Sequence, residues 1–523
     1  MTAPLPLLPP PEQRPTRYER LRDRVLQDPD WGRMMRWFAP LVVTALAAVL
    51  RLVNLGHPHQ LAFDETYYVK DAWSLWTLGY EGTWGKDANE AFITLQQLPL
   101  SDAGAFIVHP PLGKWLIALG MAVGGPDNTV GWRIATALLG AATVLLTYLV
   151  ARRLTGSIVV ATVAGSLLAI DGLSIVMSRT ALLDGPLTFF LMLGALFILI
   201  DRDRSIPLLE RSAPDSPEPM WGPVLWRRPW LIAAGVALGA ACAVKWSGLY
   251  ALAAFGLYTV VTDALARRRA GVVLWPTAAA FRQGPVSFVL LVLPALATYL
   301  VSWTGWLVTA GGYARQSDPN PLIALWNYHE AILNFHVGLS KGHPYASPAW
   351  EWPLLLRPTA VWVGSDPGPC GVDHCIAVIS TIPNPIIWYA GVAAALYLIY
   401  RLVRGWIERT PVGPAFTFPL VGLAATYVPW LLFPERTIFQ FYTVAMAPFL
   451  VIALAVALRQ IAGRRDDPLH RRQSGERTVL IFLAVVLLVS VFFYPVWTGM
   501  SVPYDFWLLH NWLPGWILSL IHI

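Results

Sequence analysis

The chain has 523 residues, 56% of them hydrophobic and 13% charged, with a mean hydropathy of +0.51. Soluble domains carry about a quarter charged residues, so this composition excludes a soluble globular protein and implies a polytopic membrane protein. The net charge of +6 calls for no nucleic-acid partner, because the arginines gather at the ends of apolar segments as the positive-inside bias requires.

Met1 to Asp30 is Pro- and Arg-rich and reads as part of a cytosolic tail over 1–36. The apolar run after it lacks a small-residue cleavage site, so no signal peptide is expected. A membrane span needs about 20 apolar residues. Such segments fall near 37–55, 131–151, 157–172, 182–200, 230–243, 247–263, 285–308, 385–403, 414–432, 441–459 and 478–497. Arginine clusters lie at Arg14 to Arg36, Arg152-Arg153, Arg202 to Arg228, Arg267 to Arg269, Arg401 to Arg409 and Arg459 to Arg477. All of them face the cytoplasm if the chain crosses about 11 times. Residues 230–263 look like one long helix with Arg-rich flanks on both sides, so the chain must turn near Lys245-Trp246 and cross twice. Residues 112–125 are apolar but short, and counting them as a span would expel Arg152-Arg153; they read as a re-entrant or membrane-surface helix. The fold class is therefore an all-α polytopic membrane protein. Its transmembrane domain occupies 37–517, with two large outer loops at about 56–130 and 309–384, and 518–523 reads as a non-native tail.

The outer loops hold the chemically suggestive residues. Asp64-Glu65 lies just beyond the first span, flanked by Phe63, Tyr67 and Tyr68. Ionised carboxylates beside a bilayer are expensive unless wet or partnered, which makes this pair a functional-site candidate. Lys114, Arg133, Arg179, Lys245 and Arg436 fall at outer helix ends. Singly each reads as an interfacial side chain that keeps its charged head in water. Together they form an excess of positive charge on the side where the topology rule expects a deficit, and that excess calls for an anion. A catalytic centre at the outer face lacks nucleotide sugars, so an activated lipid phosphate is the natural donor. Transfer from it needs a base for the acceptor and cations for the departing phosphate, which leaves without protonation; a second carboxyl as general acid is not required.

Other features carry less. Asp201-Arg202-Asp203 has the acid-x-acid pattern that holds a metal in soluble glycosyltransferases, but it falls on the inner side and reads as a solvated helix end. His336, His343 and His374 are too widely spaced for a metal site, so no metal or cofactor is expected. Asp171 and Asp184 are expected to hold Arg179 by a salt bridge, and Arg436 to grip a phosphate. Trp350 and Trp352 either stack on a sugar or anchor their loop. Cys242 lies in a span and reads as an apolar filler. Cys370 and Cys375 share an outer loop, and the four intervening residues with their Gly let the sulfurs meet, so a disulfide is expected.

Taken in order, Asp64-Glu65, His109-Pro110-Pro111-Leu112-Gly113-Lys114, Leu182-Leu183-Asp184, Lys245-Trp246-Ser247-Gly248, His343-Pro344-Tyr345 and Trp350-Glu351-Trp352-Pro353 resemble the motifs of the protein O-mannosyltransferases. The resemblance covers most of the chain after residue 35 and is nearest to the actinobacterial polyprenol-phosphate-mannose–protein mannosyltransferases. It implies the type C glycosyltransferase fold. It implies inverting transfer of mannose from polyprenyl phosphate mannose to Ser or Thr of exported proteins at the outer face of the plasma membrane, with the export translocon as a partner. Asp64 would be the base and Glu65 would position the acceptor. Arg133 would match a functionally important family arginine, with Lys114, Arg179, Lys245 and Arg436 also facing the donor phosphate. His109, Tyr67, His343, Trp350, Trp352 and Tyr442 would line the substrate site. Eukaryotic members carry a β-trefoil in the second outer loop, which here is too short for one. A lipid-linked sugar transferase acting on a lipid or polysaccharide would share this architecture. A transporter would need mid-membrane polar residues and repeated halves, and neither is seen.

Overall fold

The computed structural model describes residues 14–94, 98–213, 216, 220–366 and 368–517; residues 1–13 of the expected tail and the whole of 518–523 lie outside the described residues. Each segment expected to span is helical. In order the helices are Pro29–Leu52, Thr129–Thr155, the pair Ile158–Ala169 and Gly172–Arg179, Asp184–Ser212, Pro229–Val244, Gly248–Arg269, Gly284–Ser302, Pro385–Ile407, Pro414–Leu431, Ala447–Ala462 and Leu469–Thr498. Among the described residues eight helices are long and apolar enough to cross a membrane, or nine if the bent pair is one span. Pro229–Val244, Ala447–Ala462 and Leu112–Gly124 are apolar but shorter. Large apolar side chains such as Trp37, Trp406, Leu488 and Val491 point outward, which a membrane protein tolerates because its solvent there is lipid.

Local chemistry sets the helix ends. Thr129–Thr155 starts where the Asn128 side chain accepts the Val130 N–H, and it stops at Gly156, whose φ of 65° suits a residue without Cβ. Arg152 and Arg153 in its last turn face the negative end of the helix dipole. Lys245 has an extended backbone (φ −155°, ψ 136°), and this break divides 230–263 into two helices as the charge pattern requires. Gly235 and Gly239 lie against the backbone of Leu291 and Ala295, where a Cβ would not fit, so two helices meet at backbone distance. The bent pair turns by 59° at Asp171. The Asp171 carboxylate accepts the Ser174 N–H at 3.0 Å and the Asn384 N–H at 3.0 Å.

Two expectations change away from the outer loops. The first helix begins at Pro29 rather than 37, and it is preceded by the helix Arg17–Gln27. That short helix opens on a capping box of Thr16 and Glu19, and Glu19 pairs with Arg472. Asp201 is not solvated. It is 3% exposed and shares Arg228 with Asp263 (2.6 Å) in a network that also includes Ser287. Only Asp203 fits the solvated-end reading, with Arg153 at 2.8 Å and Arg202 at 3.4 Å.

The second large loop holds the helix Pro321–Gly338 and the antiparallel strands Ala360–Val363 and Val378–Ser380. Cys370 and Cys375 are joined by a disulfide, and the strand Cys375–Ile376 pairs antiparallel with Val502–Pro503. Cys242 is buried and unbonded.

Candidate active site

The first large loop delivers Asp64 and Glu65 to the start of the helix Glu65–Leu78, and there their environments diverge. Glu65 is fully buried. Its carboxylate accepts the Ala62 N–H at 2.8 Å, the Ala181 N–H at 2.7 Å, and two bonds from Arg133 at 2.8 and 2.7 Å. Arg133, also fully buried, donates further to the carbonyls of Pro58 (2.9 Å) and Gln60 (2.8 Å). This bidentate pair fastens the loop to two helices and leaves neither partner a face toward substrate. The expected phosphate contact of Arg133 and acceptor contact of Glu65 are therefore not what the geometry offers. Both are anchors.

Asp64 occupies the N-cap position but makes no cap hydrogen bond, so its carboxylate remains available at the positive end of the helix. It is half-buried. Burial pushes its pKa up to about 6, with Lys245 opposing, Asp184 reinforcing, and a hydrogen bond from Tyr68 opposing. Such a carboxyl is ionised at neutral pH yet far more basic than an exposed one.

Cations and rings surround it. Lys245 donates to Asp184 at 2.9 and 3.1 Å and sits 3.9 Å over the Tyr442 ring. Asp184 thus takes Lys245 and not Arg179. Arg179 instead donates to the carbonyls of Arg51 (3.0 Å), Val53 (2.7 Å) and Asn54 (2.8 Å), and it fixes the start of the loop rather than a phosphate. Lys114 is also closed off: it is fully buried, paired with Glu81, and bonded to the His109 carbonyl at 3.0 Å. Asp71, on the helix after Asp64, lies near that pair, and burial pushes its pKa up to about 7.

On the far wall, His336 donates from Nε2 to the Val108 carbonyl (3.0 Å), which leaves Nδ1 to accept from Arg436 Nη2 (3.0 Å). Burial and then Arg436 push the pKa of His336 down to about 4, so the ring is neutral. His109 packs between Tyr68 (6.2 Å between centroids) and His336 (5.5 Å), and it too is held well below the ordinary histidine range, chiefly by burial and then by Lys245. Arg436 lies over Trp430, and its buried Nε has no partner among the described residues. That leaves a donor of Arg436 unused in a recess that also holds Lys245.

The substrate-side rings divide in two. His343 packs edge-on against Phe63 and Phe439. A recess of about 400 Å³ opens at Phe63, the residue before Asp64, between His343, Tyr345 and the strand Ala360–Val363. Trp352, by contrast, is fully buried, donates to the Ser347 carbonyl at 2.9 Å and packs on Trp430, so it cannot stack on a bound sugar. Trp350 and Tyr67 are exposed on the surface. Sequence reasoning missed the partners: Tyr68 and Asp184 on Asp64 and Lys245, Glu81 on Lys114, and His336 as a neutral acceptor. No three of the His, Cys, Asp and Glu side chains converge as a metal-ligand group among the described residues.

The overall architecture has a solved counterpart. The structure of the S. cerevisiae protein O-mannosyltransferase Pmt1-Pmt2 complex bound to the sugar donor superposes with a TM-score of 0.70 at 16% identity, covering 92% of each chain. The fold is thus that of the type C glycosyltransferases. Residues 122–305 match the family described as dolichyl-phosphate-mannose-protein mannosyltransferase, and residues 322–516 match the C-terminal four TMM region of protein-O-mannosyltransferase. A polyprenol-phosphate-mannose–protein mannosyltransferase of Mycolicibacterium smegmatis is 34% identical over 94% of this chain and 96% of its own length. One of Mycobacterium tuberculosis is 33% identical over 92% of each. With identity at this level over more than nine-tenths of its length, the chain belongs to the polyprenol-phosphate-mannose–protein mannosyltransferase family.

Proposed function

We propose that this protein transfers mannose from a polyprenyl phosphate to Ser or Thr hydroxyls of exported proteins, with Asp64 as the catalytic base. The observation that carries the reading is a single half-buried carboxyl with a raised pKa, set among cations that are not all neutralised. Asp64 takes the proton of the acceptor hydroxyl as its oxygen attacks C1 of mannose, and the C1–O bond to phosphate breaks on the opposite face. One carboxylate and no general acid suit a leaving group that departs as an anion, and attack opposite the leaving group inverts the anomeric centre. Arg436, through its unpaired Nε, and Lys245 stabilise the charge that grows on the departing phosphate. The neutral rings of His109 and His336 and the Tyr442 ring shape the sugar pocket beside them. The recess between Phe63, His343 and Ala360–Val363 receives the acceptor chain, because it opens at the residue before the base.

The arginine bias of the other helix ends supports an extracytoplasmic site in the cytoplasmic membrane. The resident partners in this reading are polyprenyl phosphate mannose, an acceptor polypeptide delivered by the export translocon, and the surrounding lipid. The test is transfer of labelled mannose from polyprenyl phosphate mannose to a Thr-rich peptide in membranes containing the protein. Label in the peptide, lost in Asp64→Asn, is expected. Label that enters only lipid or polysaccharide would overturn the protein acceptor.

A further inference from the structure

A second cavity lies at the other end of the same helices. It has a volume of about 1050 Å³ and is roofed by the helix Arg17–Gln27. Its floor is aliphatic and aromatic, with Val160 and Val163, Phe416, Val456 and Leu483 contributed by four different helices. Its rim carries six arginines and three carboxylates, and the carboxylates are all engaged. Glu19 meets Arg472, Glu476 accepts from the Thr16 hydroxyl at 2.7 Å, and Asp23 takes both Arg22 and Arg465. Four guanidinium groups remain without a carboxylate among the described residues. Arg36 and Arg152 reach only backbone carbonyls, of Gly32 and Gly156, and the Arg459 and Arg464 side chains meet no hydrogen-bonding or ion-pair partner among the described residues. Positive charge concentrated over an apolar floor, at the end of a helix bundle, is complementary to one kind of molecule: an amphiphile with an anionic head.

We propose that this cavity is a binding site for an anionic phospholipid, its phosphodiester held by Arg152, Arg459 and Arg464 and its acyl chains lying on the Val160–Phe416–Leu483 floor. Guanidinium groups bind phosphate with paired, charge-assisted hydrogen bonds, and basic pockets between helices at a membrane surface select anionic head groups in this way. A soluble phosphate would use the rim and leave the apolar floor wet, so the floor favours the lipid. The bound lipid would join the ends of helices Thr129–Thr155, Ala447–Ala462 and Leu469–Thr498 to the roofing helix, which among the described residues is otherwise fastened there mainly by ion pairs and the Thr16–Glu476 bond. The cavity shares no lining residue with the Asp64 site, so the inference does not depend on the proposed chemistry there.

The full chain in detergent, analysed by native mass spectrometry with phosphatidylglycerol or phosphatidylcholine added, tests this. Wild-type protein should retain phosphatidylglycerol over phosphatidylcholine, with retention weakening as salt rises. The triple variant R152Q/R459Q/R464Q should lose affinity for phosphatidylglycerol on the order of 100-fold, given a roughly fivefold step per arginine. The triple lysine variant should lose less, because charge remains while the planar fork is lost. Equal retention of the two lipids, unchanged binding by the glutamine variant, or the same thermal stabilisation from inorganic phosphate alone would each overturn the proposal. Should the glutamine variant not fold, wild-type protein decides the matter with phosphatidylglycerol bearing a photoreactive acyl chain. Labelling concentrated on peptides containing Val160, Phe416 or Leu483 supports the site, and labelling spread evenly around the bundle refutes it.

Discussion

Asp64 and Glu65 are neighbours in sequence and opposites in structure. Glu65 and Arg133 satisfy each other completely, and with them five backbone groups at hydrogen-bonding distance. The Asp64 recess is left incomplete: a carboxylate that caps nothing, a lysine shared between Asp184 and an aromatic face, and an arginine nitrogen with no partner among the described residues. The difference teaches that a saturated ion pair holds a site and an unsaturated one works in it. A buried group whose every valence is occupied has nothing to offer a substrate, whereas its unsaturated neighbour carries a cost that the anchored frame sustains.

Mutations should separate the two regions cleanly. Asp64→Asn removes the proton acceptor, so turnover should fall on the order of a hundredfold or more while the protein still folds. Because burial disfavours the Asp64 anion, the melting temperature of this variant should stay level or rise. Normal mannose transfer by Asp64→Asn would remove the distinction altogether. Glu65→Ala or Arg133→Ala should do the reverse at the level of folding, since either leaves a buried charge unpaired at a cost of about 3–5 kcal/mol. Thermal unfolding in detergent reads this directly, and a stable but inactive Arg133→Ala protein would return Arg133 to the substrate.

Arg436→Gln probes the open side of the comparison. Loss of one charge-assisted bond to phosphate, worth about 1.5–3 kcal/mol, should lower donor use by roughly 10- to 100-fold, with the melting temperature little changed. Lysine should rescue only part of it. The smallest effect is the pH profile. A base with a pKa of about 6 is protonated as pH falls through that value, so kcat/KM should decline toward tenfold per pH unit below 6 and be flat from this group above 7. An acid limb near the usual aspartate value of about 4 would mean that the recess is wetter than its geometry implies.

Much of this frame was legible before any coordinates. Apolar length and arginine placement located the helices of the eleven segments, including the break at Lys245, because both follow from the bilayer and not from tertiary detail; among the described residues eight of them, or nine with the bent pair, are long and apolar enough to cross. Asp64 stood out as a candidate because a carboxylate beside a membrane needs a reason. What stayed hidden was pairing. Nothing in the spacing of Lys114 and Glu81, or of Lys245 and Asp184, announces that they meet, so five cations looked alike when Lys114, Arg133 and Arg179 are fastened to the frame. Asp201 misled for the same reason, since its partners Arg228 and, through it, Asp263 arrive from other helices. For Trp352 the choice between stacking on a sugar and anchoring its loop stays open in the sequence, because its Pro-rich surroundings give no sign that it faces inward onto Trp430.

The disulfide between Cys370 and Cys375 has a use beyond bracing a turn. The sequence holds three cysteines, and the remaining one, Cys242, is buried and unbonded inside the bundle. A thiol pair oxidises in a compartment that tolerates oxidation and stays reduced in one that does not. The covalent bond is therefore a chemical memory of the side of the bilayer on which that loop folded, and Cys242 is its built-in reference. Counting free thiols in intact membranes before and after a reductant that cannot cross them converts this pair of sulfurs into a compass for the whole chain.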